Sequence, residues 1–340
     1  AHYNEKILKN KSLIFYNKKN HRNIKTIIRK YSKRFKVIGV ENFKKIDKHK
    51  EKLKLDFVYA QKGGERDAWS LKKIKTLVHC IYPQLLKEVH GDRYSYISEW
   101  LGKEFSNNKL KFVPYIVELS KTKKNLKKKL KIKNKQIVFG CHGGASSFDI
   151  NFVKDVIGEI VRKKKKITFL FLNINKFINH PRIIFLKGTH NELYKKQFLN
   201  TCDAMIYGRS LGESFGLACG EFAVLGKPIL SYKYNRHRSH IFNTPKELIM
   251  EYHSKKNLLD KLSNFNKKNL KIKSVNKYLN YTPEKVMKIF KSVFLRKKIK
   301  KITIQDKLIN FLSFIRLNLY YLKHKIYTHY YKFFIKFINF

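Results

Sequence analysis

Short apolar runs alternate with helix-like segments through most of this 340-residue chain. Most segments between the runs place apolar residues three or four positions apart, as in a helix with one buried face. Because consecutive parallel strands need a crossover, usually a helix, this order predicts α/β domains with mostly parallel sheets and helices on both faces. The runs expected to be strands are residues 12–16, 36–40, 56–60, 76–80, 94–98, 112–116, 136–140, 167–172, 182–186, 204–207 and 228–231.

The alternation stops between residues 119 and 135, where Lys and Asn predominate. We interpret this stretch as a linker carrying a short helix between an N-terminal Rossmann-like domain, residues 1–118, and a C-terminal one, residues 136–281. A helix over residues 282–297 is expected to close the second domain. Residues 298–340 differ in composition and are treated as a separate tail.

The formal net charge of the chain is +52, from 76 Lys and Arg against 24 Asp and Glu. A charge of this size favours anionic partners such as phosphorylated small molecules, nucleic acid or an acidic membrane surface. The chain is also rich in Asn, Ile, Phe and Tyr, so codon bias on solvated faces explains the lysine excess equally well. With 43% hydrophobic residues, the chain is expected to fold in spite of its charge.

The cysteines and apolar runs bear on the compartment. Cys80, Cys141, Cys202 and Cys219 show no C-x-x-C spacing, so neither a zinc knuckle nor a redox pair is indicated. Their apolar or glycine-rich surroundings favour buried free thiols in a reducing compartment. No run of about 18 apolar residues is present, so no transmembrane helix is expected. We therefore expect a cytoplasmic protein, with peripheral attachment to the cytoplasmic face of a membrane as a further option.

Residues 208–229 carry the clearest functional pattern: a strand ends, a glycine-rich loop turns, and a helix is expected to start at Phe215 or Gly216. The first N–H groups of a helix have no partner within it and attract anions, so this turn suits a diphosphate. Glu213 and Glu221 flank the turn, and carboxylates accept hydrogen bonds from sugar hydroxyls. An interpretation without a ligand explains the pair equally well: Glu213 would cap the helix and Glu221 would be solvated. Because the helix around Glu221 is otherwise apolar, however, this acid is expected to have a partner.

The two acids and their neighbours resemble the E-x7-E region of retaining GT-B glycosyltransferases of the family 4 type. Residues 213–217 read ESFGL and residues 221–229 read EFAVLGKPI, against a usual E-G-F-G-L and E-A-M-A-x-G-x-P-V-I. The resemblance covers about residues 70–297, is strongest over 137–231, and is closest to a branch found in large viruses and small genomes. It implies two Rossmann-like domains facing a cleft. It also implies transfer of a sugar from a nucleotide-sugar donor to a glycan, lipid-linked or protein acceptor, with retention of anomeric configuration.

The resemblance implies roles by position. Glu213 would contact hydroxyls of the transferred sugar as a catalytic residue, and Glu221 would hold the ribose hydroxyls. Helix N-termini and basic side chains would stabilise the leaving diphosphate, so neither a metal ion nor a cofactor beyond the donor itself is expected. The remaining donor-binding residues would be Gly143, Gly144, Ser214, Phe215, Gly216 and Leu217.

Two positions depart from the usual family pattern. In the family, an Arg follows the first strand of the C-terminal domain and a Lys follows shortly after, both on the diphosphate. Here Cys141 holds the Arg position, and no Lys occurs from Cys141 to Val153. We expect Arg209, at a strand end facing that loop, to supply the charge as a catalytic residue, with Arg162 and Lys187 as alternatives. A weak or inactive enzyme is the other interpretation.

Members of the family place a histidine of the N-terminal domain near the donor sugar. His90 is preferred to His79 as this catalytic residue, because the Gly91-Asp92 turn would expose His90 at a strand end. For either residue, the interpretation as an ordinary loop histidine without a catalytic role is equally good. Residues 62–67 are read either as an acceptor-side loop or as a plain hydrophilic turn.

The tail combines apolar and aromatic residues at helical spacing with interleaved Lys and Arg. This pattern predicts a basic amphipathic helix or helix pair that lies on an anionic membrane, or else fills a groove across the two domains. The positions expected on its apolar face are Phe311, Phe314, Ile315, Leu319, Leu322, Ile326, Tyr330, Phe333, Phe334 and Phe337.

Other classes stay open at this point. A nucleotide-sugar epimerase shares the two-domain plan, although no acid–base cluster is evident. A non-enzymatic protein that binds nucleic acid or a membrane fits the charge. However, the basic residues are spread throughout and no known nucleic-acid-binding module is present, so nucleic acid is not the expected partner. A catalytically silent relative acting as a membrane-bound scaffold is the last alternative.

Overall fold

The computed structural model describes residues 1–67, 71–266, 271–296 and 302–338, with side chains described as far as residue 324. The chain forms two compact units. Unit 1 comprises Ala1–Ile116 and Thr282–Phe314, and unit 2 comprises Val117–Tyr281 and the chain from Ile315 onward.

Unit 1 begins with two small parallel sheets. Strands β1 (Leu13–Asn17) and β2 (Lys36–Val40) pair in parallel, and β3 (Phe57–Lys62), β4 (Lys75–Cys80) and β5 (Arg93–Tyr96) form a parallel sheet in that order. The core beside β1 contains Ile46, Leu55 and Ile74. The helices of this part are α1 (His2–Lys6), α2 (Lys25–Ser32), α3 (Lys50–Leu53) and α4 (Glu99–Ser106), with short 3-10 segments at Phe43–His49 and Leu86–Glu88.

Unit 2 is built on a parallel sheet of six strands. Its strands are β6 (Ile137–His142), β7 (Ile167–Leu172), β8 (Ile183–Leu186), β9 (Ala204–Tyr207), β11 (Ile229–Tyr232) and β13 (Ile249–Tyr252), and the short strands β10 (Gly212–Glu213) and β12 (His237–Arg238) pair separately. All six residues of β7 are buried, as expected for a strand covered on both faces. The helices are α5 (Asn151–Lys163), α6 (Glu192–Thr201), α7 (Leu217–Ala223), α8 (Ser239–Asn243) and α9 (Lys255–Ser263).

After unit 2 the chain returns to unit 1. Helix α10 (Pro283–Phe290) is capped by Thr282, whose side chain accepts a hydrogen bond from the Lys285 N–H, and a π-helical turn (Lys291–Arg296) follows it. Helix α11 (Ile304–Ile338) is the last element. Within the described residues, no helix combines the length and the apolar character that crossing a membrane requires.

The predicted fold class is confirmed, since both units are α/β with parallel sheets and the tail forms a helix. All four cysteines are buried and free, also as predicted. Residues 297–301 fall outside the described residues. So do the side chains of five predicted tail positions: Ile326, Tyr330, Phe333, Phe334 and Phe337.

Two local predictions were wrong. Residues 112–116 form no strand beyond one bridge between Tyr96 and Phe112, because Pro114 lacks the N–H group that a ladder needs. The linker contains turns instead of the expected short helix. A single helical turn there, closed by the bond from the Leu130 N–H to the Leu126 carbonyl, ends where Lys131 adopts a φ of +52°.

Candidate functional site

The sheet of unit 2 has a topological switch point between β6 and β9. The chain builds from β6 through β7 to β8 on one side, then returns to the other side of β6 with β9, β11 and β13. In such sheets the connections leave on opposite faces, so a crevice forms outside the carboxyl ends of the two central strands. A pocket of about 350 Å³ lies at this place. We call it the switch-point pocket.

The strand end of β6 supplies the glycine turn of the pocket. Gly143 and Gly144 both line it. The turn is held from two sides, since the Asn173 side chain donates to the Gly143 carbonyl (2.7 Å) and the Ser147 hydroxyl donates to the Gly144 carbonyl (2.7 Å). A Cβ on Gly143 would lie 2.8 Å from the Ser147 Oγ, so a side chain there would displace Ser147. The turn therefore leaves room in the pocket.

Glu213 lies at the pocket with Arg209 and Tyr207. One carboxylate oxygen, Oε1, accepts hydrogen bonds from the Tyr207 hydroxyl (2.9 Å) and from the Arg209 guanidinium (3.1 Å). Burial, reinforced by the charge of Glu213, raises the pKa of the Tyr207 phenol well above its ordinary value, so Tyr207 keeps its proton and acts as a donor. The carboxylate is therefore oriented by two donors.

The loop that carries Arg209 is fixed by its own hydrogen bonds. The Asn235 side chain donates to the Arg209 carbonyl (2.6 Å). The Asp149 carboxylate accepts from both the N–H and the hydroxyl of Ser210, at 2.7 and 3.0 Å. Arg209 is thus presented from a loop whose backbone is held on both sides.

Glu221 is buried in α7 but lies at the wall of the same pocket, with 2% of its side chain exposed. Its Oε1 is 2.7 Å from the Lys195 ammonium, and its Oε2 is 2.9 Å from Nε2 of His142. Burial alone would raise the pKa of Glu221, but the contacts with His142 and Lys195 outweigh it and hold the pKa below 4.5. Glu221 is therefore charged at neutral pH, and the prediction that this acid has a partner is confirmed.

The turn between the two acids is shaped by Gly216. Gly216 has a φ of +83°, and a Cβ there would lie 2.8 Å from the His240 Cβ and 2.9 Å from the Tyr278 hydroxyl oxygen. That hydroxyl donates to the Phe215 carbonyl (2.8 Å), and the Phe215 ring is buried beside Tyr278. The turn is therefore anchored in the core, and the two residues after it, Leu217 and Ala218, line the pocket.

We expect Gly216→Ala to destabilise the protein by about 2–3 kcal/mol, because the added methyl group combines a disfavoured φ with two close contacts. The measurement is the free energy of unfolding in urea. Gly144→Ala is the matched control, since its Cβ would meet Ser147 at an ordinary 3.9 Å, and it should change the free energy by less than about 1 kcal/mol. Equal effects for the two variants would contradict the structure of the turn.

The predicted site residues of unit 2 are brought together in part. Glu213, Glu221 and Arg209 line the pocket along with Gly143, Gly144 and Leu217. Ser214, Phe215 and Gly216 lie in the intervening turn. The alternatives proposed for the missing charge, Arg162 and Lys187, are exposed and do not line the pocket.

Three side chains of the site were not predicted individually: Tyr207, Lys195 and His142. Lys195 comes from α6 and is one of 76 basic residues in the chain, so only the fold singles it out. The charges of Glu221 and Glu192 outweigh burial and raise the pKa of Lys195. His142 follows Cys141, which is buried, and burial also raises the pKa of the Cys141 thiol. The position at which the resembled glycosyltransferases have an Arg therefore holds a neutral group, and Lys195 brings a cation to the pocket from another element.

The histidines after β11 are structural. His240 is fully buried, its Nε2 lies 2.9 Å from the Ser231 hydroxyl, and burial lowers its pKa to about 3. Burial lowers the pKa of His237 to about 3 as well. Neither lines the switch-point pocket. Within residues 1–67, 71–266, 271–296 and 302–338, no three His, Cys, Asp or Glu side chains are grouped as a metal site would require.

The two candidate histidines of unit 1 differ in their surroundings. His79 is buried in the core, where its Nε2 lies 2.8 Å from the Val113 carbonyl oxygen and burial lowers its pKa to about 4. His90 is half-buried, with Nδ1 2.7 Å from the Glu88 carbonyl oxygen and Nε2 3.1 Å from the Lys62 ammonium. Lys62 also pairs with Asp67 at 2.5 Å. His90 therefore belongs to a polar cluster with the loop 62–67.

Sequence comparisons identify no relative. No protein-family model matches the chain, and no curated protein matches it in sequence. Any assignment therefore depends on the structure.

Solved structures resemble the chain in fold. A glycosyltransferase from Rickettsia africae matches 94% of this chain and 91% of its own, with a TM-score of 0.55 and 12% identity. HepE from Anabaena, in complex with UDP and glucose, matches 86% of this chain and 88% of its own, with a TM-score of 0.52 and 12% identity. A GtfA/B complex matches at a TM-score of 0.52 and 10% identity, over 74% of this chain and 59% of its own. The chain thus has the α/β fold of GT-B glycosyltransferases.

Proposed function

We propose that this chain is a glycosyltransferase whose donor, a nucleoside diphosphate sugar, binds in the switch-point pocket. The observation that carries the proposal is the meeting of Glu213 and Glu221 at one pocket together with the cations of Arg209 and Lys195. A nucleotide-sugar offers hydroxyl groups to carboxylates and a diphosphate to cations, so one molecule satisfies both kinds of group.

The residues of the pocket suggest how the donor is divided among them. Glu221, held charged and oriented by Lys195 and His142, accepts hydrogen bonds from the ribose hydroxyls. Arg209 and Lys195 supply positive charge to the diphosphate in place of the absent family Arg. The backbone of the Gly143-Gly144 turn gives the phosphates room. Glu213 then faces the transferred sugar.

The proposed reaction retains the configuration of the sugar. The bond between C1 of the sugar and the phosphate oxygen breaks, and a bond from C1 to an acceptor hydroxyl oxygen forms on the same face. The proton of that hydroxyl passes to the leaving phosphate. Because Arg209 and Lys195 stabilise the charge of the leaving diphosphate, the reaction proceeds without a metal ion. Glu213 stabilises the positive charge that develops at C1.

The acceptor is proposed to be a glycan, a lipid-linked sugar or a protein. His90, in the polar cluster with Lys62, is the proposed catalytic residue of unit 1. HepE binds UDP and glucose, so uridine diphosphate sugars are the first donors to test here. Neither the epimerase nor the nucleic-acid-binding alternative gains a specific observation from the structure.

The test is thermal stability with UDP, GDP, ADP, CMP and their common sugars, in the presence of EDTA. One nucleotide should raise the melting temperature by several degrees, because a ligand at a hundredfold excess over its Kd contributes about 2.7 kcal/mol. Glu221→Ala should remove the shift. The matched control is Glu251→Ala, which breaks an ion pair with Arg238 outside the pocket and should preserve the shift. The proposal would be contradicted if none of these nucleotides raised the melting temperature. It would also be contradicted if the rise required a metal ion.

A further inference from the structure

Helix α11 carries an exposed apolar surface along one side. Seven large apolar residues are each at least 39% exposed: Ile304, Leu308, Phe311, Leu312, Ile315, Leu319 and Leu322. At about 100° per residue they fall within an arc of about 100° on the helix, the width of a single apolar face. We call this surface the apolar stripe. Water contact with so much apolar area is unfavourable, so the stripe needs a partner.

The opposite side of α11 is the one that packs on the protein. In unit 1, the buried Asn310 side chain accepts from the Leu86 N–H (2.9 Å) and donates to the Phe105 carbonyl (2.7 Å), and Phe314 packs edge-on against the Phe105 ring. In unit 2, the His324 ring stacks on Tyr234 at 3.8 Å. These contacts fix the rotation of the helix and leave the apolar stripe on the outer side.

The surface around the stripe is positively charged. The chain from residue 304 to the C-terminus has six Lys and Arg residues against one acid, Asp306. Asp306 is 6% exposed and pairs with Lys109 at 3.5 Å, so it adds little negative charge to the surface. Lys307, Arg316 and Lys323 are exposed along the described part of the helix.

We propose that the apolar stripe docks on an anionic phospholipid membrane and lies in the plane of its surface. The apolar side chains enter the boundary between head groups and acyl chains, and the flanking bases contact the lipid phosphates. A second copy of the chain would bring together two surfaces of the same charge, and a nucleic acid would leave the stripe in water. The proposal does not depend on the donor site.

The test is sedimentation of the full chain with vesicles of phosphatidylcholine alone or of phosphatidylcholine mixed with phosphatidylglycerol. The chain should bind the anionic vesicles far more strongly. Leu308→Gln/Leu312→Gln/Leu319→Gln keeps both the net charge and good helix formers, and should weaken binding at least about tenfold through the lost apolar area. Because the charge is unchanged, this variant separates insertion of the stripe from attraction by a charge of +52.

Matched single substitutions provide the control. Ile309 is a comparably sized exposed residue (37%) outside the stripe, so Ile309→Gln should bind vesicles like the wild type, while Leu312→Gln should bind less. Wild-type binding by the triple variant, or no binding of the wild type to anionic vesicles, would overturn the proposal. If the wild type were a dimer and the triple variant a monomer with unchanged vesicle binding, the stripe would instead be the interface with a second copy of the chain. An unchanged melting temperature and nucleotide-induced shift in the variants shows that the fold and the donor site are intact.

Discussion

Glu213→Gln should lower the turnover of the sugar donor by at least about a hundredfold while leaving donor affinity within a few-fold of the wild type. The substitution keeps the shape of the side chain and an acceptor oxygen for Tyr207 and Arg209. In the proposed mechanism, it removes the negative charge that stabilises the positive charge developing at C1. Interactions that exist only in the transition state affect turnover more than binding.

Release of nucleotide and sugar from the donor, with and without candidate acceptors, measures the effect of Glu213→Gln. The matched control is Glu251→Gln, since Glu251 pairs with Arg238 at 2.7 Å and has a similar exposure but does not line the pocket. It should turn over like the wild type. If Glu213→Gln retains half of the wild-type turnover, the role of Glu213 is wrong. If the variant loses donor binding as well, Glu213 contributes to binding of the donor in the ground state instead.

Lys195→Met should destabilise the protein by about 3 kcal/mol. Removal of the ammonium leaves Glu221, 2% exposed, without its lysine partner, and Nε2 of His142 at 2.9 Å is then its remaining close contact among the described ion pairs. A buried charge without its partner is costly, whereas the pair itself is close to neutral for stability. Urea unfolding at neutral pH measures the change.

A surface pair at the same N–O distance is the control for Lys195→Met. Lys163 lies 2.7 Å from Glu159, as Lys195 does from Glu221, but the Lys163 side chain is 61% exposed. Lys163→Met should therefore cost less than about 1 kcal/mol. Adding Glu221→Gln to Lys195→Met should restore part of the lost stability, because the unpaired charge is gone. Equal losses for the two lysine variants would contradict the burial of the Glu221 pair.

The buried pair of Glu221 and Lys195 should also make the stability of the protein depend on pH. The folded-state pKa of Glu221 is lowered, so its contribution to stability is present above its ordinary pKa of 4.5 and is lost as the pH falls through the folded value. Stability should therefore fall more steeply in acid for the wild type than for Glu221→Gln. The measurement is the free energy of unfolding across the acid range, and parallel curves for the two proteins would contradict it.

The fold was largely predictable because its signals are local. Strands such as β7 are covered on both faces, and such strands appear in sequence as unbroken apolar runs. Strand β13 was missed, since Ile249–Tyr252 is short and contains Glu251, an acid that is paired with Arg238 in the folded protein. The linker helix was predicted wrongly because Lys131 adopts a left-handed conformation that its residue type does not signal.

The candidate site was predictable only where spacing marks it. Glu213 and Glu221 stand in a pattern with glycine and apolar neighbours, and both lie at the pocket. Lys195 is as basic as its many neighbours, and its role depends on the placement of α6 beside α7, which local sequence does not encode. The same holds for His142, whose ring meets Glu221 only after β6 and α7 pack together.

The most direct test is a crystal structure of the protein soaked with the nucleotide diphosphate that gives the largest thermal shift. The proposed function predicts the diphosphate between the Gly143-Gly144 turn and the Arg209 and Lys195 side chains, with the ribose hydroxyls on Glu221. Density for the nucleotide anywhere other than the switch-point pocket, or an empty pocket at saturating ligand, would contradict it.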